Sequence, residues 1–174
     1  MRILLPRRRF VGAFLPPLAL AACGGPGASQ APPSSPSPLL SKALPDFRRP
    51  SLGGPEIETE RLRGRVVVVD FFAEHCVPCA RSLPALEALH RSMPDVSVVG
   101  VSEDEDAAGA RRMVERFGLT FPVVHDGSRV IAGRYRVVDL PATFVADPAG
   151  VVRWRGDQAH EEGELRAVVE GARR

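Results

Sequence analysis

The most regular hydrophobic pattern in the chain is a run of four valines, Val66 to Val69, continued through Asp70 by Phe71 and Phe72. It is short, β-branched and apolar on both faces, which predicts a buried strand over Val66–Phe72. Beyond a polar stretch, Leu83, Leu86, Leu89 and Met93 recur at helical spacing. They predict a helix from about Val77 to Met93, ended by Pro94-Asp95. Val96, Val98, Val99 and Val101 predict a second buried strand. Ala107, Ala110, Val114 and Phe117 share one face of a helix over Asp104–Phe117, with Gly118 as its C-terminal stop. Phe121–Val124 reads as a third strand and Ser128–Tyr135 as a short helix. Ala142–Ala146 and Val151–Trp154 read as two strands joined by the turn Asp147-Pro148-Ala149-Gly150. Glu161–Ala172 is a last helix, with Leu165, Val168 and Val169 facing inward. Ahead of all these, Glu56–Arg63 alternates charged residues with Ile57 and Leu62, as an exposed hairpin or edge element would. The order βαβαβαββα predicts an α/β domain around a mixed sheet, parallel at first and antiparallel at the end.

The first 44 residues follow a different pattern. Arg2, Arg7, Arg8 and Arg9 precede an apolar run from Phe10 to Ala22, too short to cross a bilayer comfortably. Residues 1–22 therefore read as an export signal and are set aside from the fold. Leu20-Ala21-Ala22-Cys23-Gly24 resembles the lipobox of bacterial lipoproteins, which implies cleavage before Cys23 and lipid on its sulfur. Arg7-Arg8-Arg9-Phe10-Val11 also resembles a twin-arginine export signal, with Pro6 where Ser or Thr is usual. Residues 23–44 are rich in Pro, Ser and Gly and are expected to form a semi-extended tether to the membrane. Residues 45–174 are left as one domain.

Charge narrows the partners. The whole chain carries 23 basic and 21 acidic residues, and loss of residues 1–22 removes four arginines to leave 19 against 21. A nearly balanced domain of this kind gives no reason to expect nucleic acid as a partner.

The chemistry is concentrated at Cys76-Val77-Pro78-Cys79. The pattern puts Cys76 between the valine strand and the first turn of the helix. Free backbone N–H groups and the positive end of the helix dipole stabilise a thiolate there. A second thiol three residues on can close a disulfide with it. The same spacing also serves half of a zinc site or a structural disulfide. The third cysteine, Cys23, lies far off, and His75, His90, His125 and His160 do not form a ligand pair. The last three read as surface or satisfied structural histidines, and Tyr135 and Trp154 as core or rim packing. Asp70 interrupts an apolar strand, where a carboxyl is costly to keep and suggests use.

Together these segments resemble the thioredoxin fold, and more closely the membrane-tethered TlpA/ResA/DsbE group of thiol–disulfide oxidoreductases. The resemblance is carried by Val69-Asp70-Phe71-Phe72-Ala73-Glu74-His75-Cys76-Val77-Pro78-Cys79 and by Leu140-Pro141-Ala142-Thr143-Phe144. It covers about Leu44 to the C-terminus, with an N-terminal hairpin and an inserted βα unit over Val96–Phe117. It implies that Cys76 attacks a substrate disulfide and Cys79 resolves the mixed disulfide. It also implies that Pro141 is a cis-proline lining the substrate groove. The expected partners are exported proteins with cysteine pairs, an upstream membrane thiol donor or acceptor, and the membrane itself through the lipid anchor. No cofactor beyond the redox-active disulfide is implied. The expected role is reduction, for instance in cytochrome c or copper-site maturation. Three positions depart from the group. His75 replaces a tryptophan, Asp70 stands where many tethered members have Asn, and Ser82 occupies the place of a helix Glu. The proton-handling group is therefore expected to be Asp70, with Glu74 as a possible assistant and His75 as a possible modulator. Two other functions use the same thiols: a Cu(I)-binding chaperone and a thiol peroxidase. Ala73, at the place of a peroxidase threonine, speaks against the second.

Overall fold

The computed structural model describes residues 30–174. The expected signal segment, Cys23 and the start of the tether lie outside the described residues.

β1 (Arg48–Pro50) and β2 (Glu56–Glu58) form a two-stranded antiparallel ribbon, followed by a 3-10 turn, Thr59–Leu62. Then come β3 (Val67–Phe72), α1 (Cys79–Ser92), β4 (Ser97–Ser102), α2 (Ala107–Phe117), β5 (Val123–His125) and α3 (Val130–Tyr135). β6 (Ala142–Ala146), β7 (Val152–Gly156) and α4 (Glu162–Ala172) complete the chain. The main sheet has the order β5-β4-β3-β6-β7. β3, β4 and β5 are parallel, whereas β6 and β7 run antiparallel. The valine strand is central and buried along its whole length, as an apolar run with helices on both faces must be.

Alternation along β3 sends residues to two separate cores. Val68 and Phe72 join Cys79, Leu83, Leu86 and Leu165 on the α1/α4 side. Val67, Val69 and Phe71 join Ile131, Tyr135 and Phe144 on the α3 side. Asp70, flanked in alternation by Val68 and Phe72, belongs to the α1/α4 face.

Where boundaries differ from the sequence reading, a specific group explains the shift. α1 begins at Cys79 rather than Val77, after Pro78 at its N-cap. α2 begins at Ala107 rather than Asp104, because Asp106 is the cap: its carboxylate accepts from the N–H groups of Ala108 and Gly109 at 2.9 and 3.1 Å. Asp104 is turned inward instead. Gly118 ends α2 in the left-handed region at φ 59°, as expected. The expected Glu56–Arg63 element is only half a hairpin: β2 pairs with Arg48–Pro50, whose charged pattern gave no strand signal.

The expected tether needs a larger correction. From Pro32 onward the chain is docked along the outer edge of β7. Ser35 N–H donates to Arg155 O and Ser41 N–H to Val152 O, each at 2.8 Å. Val152 N–H donates to Lys42 O and Leu44 N–H to Gly150 O, also at 2.8 Å. The Trp154 indole N–H donates to Pro32 O at 3.0 Å. An edge strand leaves a row of unpaired backbone groups. Even a proline-rich segment can satisfy them through the few N–H groups it retains.

Candidate active site

β3 delivers the chain to the site and α1 leads it away. Cys76 sits between them and is joined to Cys79 by a disulfide. Cys79 is fully buried and Cys76 is 7% exposed, so of the two cysteines Cys76 lies nearer the surface. The backbone N–H of Cys79, the first residue of α1, donates to the Cys76 sulfur at 3.2 Å. A donor fixed in that position also favours the thiolate that forms when the disulfide opens.

Behind the pair, Asp70 is completely buried. Thr143 Oγ donates to one carboxyl oxygen at 2.6 Å, across the β3–β6 register that places Asp70 opposite Thr143. The other oxygen, Oδ2, is buried with no partner. Burial pushes the Asp70 pKa from 3.8 up to about 7, against the opposing pull of the Thr143 hydrogen bond. A carboxyl poised near neutrality on the same face as Cys79 can take and return a proton.

In front of the pair lies an open cleft of about 500 Å³, lined by His75, Cys76, Val77, Glu103, Arg129 and Leu140 among others. Val77 and Val138 on its walls are 74% and 78% exposed, and together they give the cleft an apolar rim. The Leu140–Pro141 peptide is cis, as the resemblance implied. Pro141 is buried and, with Pro78 and His160, lines a second cleft on the α4 side.

The other candidates separate. His75 is exposed and lines the front cleft beside Cys76. Glu74 is engaged by Arg112. Its carboxylate is held by two hydrogen bonds from Arg112, at 2.7 and 2.6 Å. That pairing holds its pKa below the usual range, so it stays ionised on the surface and ties the loop to α2. Cys23 lies outside the described residues.

Two partners were not foreseen. Thr143 lies within a quoted motif, but only the pairing of β6 with β3 shows that it serves Asp70. Glu103 carries no distinguishing signal in the sequence. Its side chain is 4% exposed, its Oε2 is 2.7 Å from the Arg129 guanidinium, and its Oε1 is buried without a partner. Burial pushes its pKa up, Arg129 pulls it down and Asp126 adds to the rise. His160 was expected at the surface or satisfied. It is buried and structural, edge-on to Trp154, with Nδ1 3.4 Å from the Glu164 carboxylate and only Nε2 unpartnered.

Comparison with known proteins agrees with this geometry. The family model described as AhpC/TSA matches residues 40–155. A thiol-disulfide oxidoreductase ResA from Bacillus thuringiensis (strain Al Hakam) is 31% identical over 136 residues, covering 75% of this chain and 79% of that protein. The protein of the same name from Geobacillus kaustophilus is 34% identical, covering 66% of this chain and 67% of its own. The crystal structure of a secreted Mycobacterium tuberculosis disulfide oxidoreductase, homologous to E. coli DsbE, superposes with a TM-score of 0.67. It is 25% identical and covers 72% of this chain and 95% of that one. The fold is thioredoxin-like, as the resemblance implied.

Proposed function

The chain belongs to the AhpC/TSA family and is a thiol–disulfide oxidoreductase, and we propose that it acts outside the cytoplasm as a lipid-anchored reductant of exported proteins. Cys76 is the nucleophile. Its thiolate attacks a substrate disulfide, forms a mixed disulfide and releases one substrate thiolate. Asp70 then takes the Cys79 proton, and the Cys79 sulfur attacks the Cys76 sulfur and expels the second substrate thiolate. The substrate gains two electrons, and the two protons it needs balance those given up by Cys76 and Cys79. The protein is left as the disulfide. A thiol donor in the membrane returns two electrons and two protons and is itself oxidised to a disulfide.

The observation that carries this reading is the asymmetry of the pair. One sulfur reaches the cleft and accepts a backbone N–H, and the other is fully buried on the face that carries a carboxyl titrating near 7. Pro141 shapes the groove, and His75 modulates the sulfur it adjoins. Lipid on Cys23 holds the domain at the membrane. No helix among the described residues is long and apolar enough to cross a bilayer.

The test sets insulin-disulfide reduction beside Cu(I) titration of the reduced protein. The reading requires insulin reduction that disappears in Cys76→Ser. A reduced protein that binds Cu(I) stoichiometrically and leaves insulin intact would replace it with a copper-carrying role.

A further inference from the structure

The docked Pro32–Leu44 segment has a direction. It runs antiparallel to β7, from Trp154–Arg155 at Pro32 to Gly150 at Leu44. β7 ends at Gly156, which pairs with Thr143, two residues after the cis-proline. The segment therefore enters the fold in the half of the sheet that carries the redox groove and leaves it at the opposite end. The contact is continuous with the groove wall. Pro32 bonds Trp154, the Trp154 ring meets His160 at 5.0 Å, and His160 lines the cleft with Pro78 and Pro141.

Docking also shortens the leash. Nine residues separate Cys23 from Pro32, and a chain of that length spans at most about 30 Å. An undocked tether to Leu44 would allow about 70 Å. A domain of this size is about 35–40 Å across, from a radius of gyration of about 14 Å. With the groove toward the membrane the leash need not be stretched. With the groove turned away, Pro32 stands more than half the domain's height above the surface, so the leash must span about two-thirds or more of its reach, at a cost in chain entropy.

We propose that docking of Pro32–Leu44 on β7 holds the redox groove facing the membrane, within reach of a thiol donor embedded in it. This rests on the reading that Cys23 carries the lipid. The exposed Val77 and Val138 then form the contact face for that donor.

The test uses the full-length lipoprotein reconstituted in phosphatidylcholine vesicles containing an acceptor-labelled lipid. With Cys76–Cys79 oxidised, a donor dye is attached at Gln158→Cys, on the groove rim, or at Pro148→Cys, in the β6–β7 turn. These sites lie about 20 Å apart along β6. The expected result is severalfold stronger energy transfer from Gln158 than from Pro148. The contrast should be lost in Ser35→Pro/Ser41→Pro, which removes two of the docking N–H donors. Ser41 also has φ 61°, which proline cannot adopt. Fast exchange of the Val152 amide confirms that the segment has come away. Equal transfer at both sites, or a contrast that survives undocking, overturns the orientation alone. No transfer at either site overturns the anchor and the orientation with it.

Discussion

Replacing Asp70 with Asn should abolish the pH dependence that this one carboxyl imposes on stability. Asp70 moves from an ordinary 3.8 to about 7 on folding because burial disfavours its charge. A carboxyl with a raised folded-state pKa contributes stability that is fully present below 3.8. That contribution is lost as the pH rises to about 7 and does not change further above it. The span corresponds to about 4 kcal/mol, at about 1.4 kcal/mol per pH unit. Asn has no charge to lose. Its oxygen can still accept from Thr143, as Oδ1 does now at 2.6 Å. Its amide N–H groups take the place of Oδ2, which has no partner, and leaving them unpaired costs about 1–3 kcal/mol. The variant should therefore be more stable than wild type by about 1–3 kcal/mol at pH 8–9 and equal or less stable at pH 4. The assay is urea unfolding of both oxidised proteins at a series of pH values. The amide cost cancels in the difference between the two ends of the range, so that difference measures Asp70 alone. A variant-minus-wild-type stability that stays flat from pH 4 to 9 would refute the assignment.

Other outcomes follow from the same contacts. Glu74→Gln should leave the insulin-reduction rate unchanged and shift stability by less than about 1 kcal/mol, because the pair with Arg112 is a surface one. Glu87 in α1 accepts from both the backbone N–H and the hydroxyl of Thr120, at 2.7 and 2.6 Å. Glu87→Ala should cost about 1–2 kcal/mol in urea unfolding, since it removes two hydrogen bonds to a Thr120 that remains partly open to water. Cys23→Ala should move the protein from the membrane to the soluble fraction on cell fractionation, and unchanged membrane association would remove the anchor from the account.

Much of this molecule was legible because its strongest signals are local. Four consecutive valines could only be a buried strand, and a glycine after Phe117 marked a helix end that the left-handed φ bears out. Cys76 and Cys79 were legible as a pair from spacing and position alone, and Asp70 as an anomaly in an apolar strand. Three features were illegible for one physical reason: their partners are distant in sequence. Thr143 meets Asp70 only because β6 pairs with β3. Glu103 meets Arg129 only once the chain is folded. The Pro32–Leu44 segment docks largely through main-chain bonds to β7, and only Leu39, Leu40 and Leu44 at its end carry an apolar signal for the packing they make. Glu74 shows the converse. Its place beside the cysteines suggested chemistry, and the structure pairs it with Arg112, 38 residues on.

The central claim is that one sulfur attacks and the other resolves, and mixed-disulfide trapping tests it most directly. Cys76→Ser and Cys79→Ser variants are expressed in place of the wild type, thiols are blocked with an alkylating agent, and covalent adducts are identified by mass spectrometry. The position of Cys76 in the cleft lining and the fully buried position of Cys79 predict that Cys79→Ser accumulates adducts through Cys76 and that Cys76→Ser accumulates none. Equal trapping by the two variants, or trapping through Cys79 alone, would contradict the account.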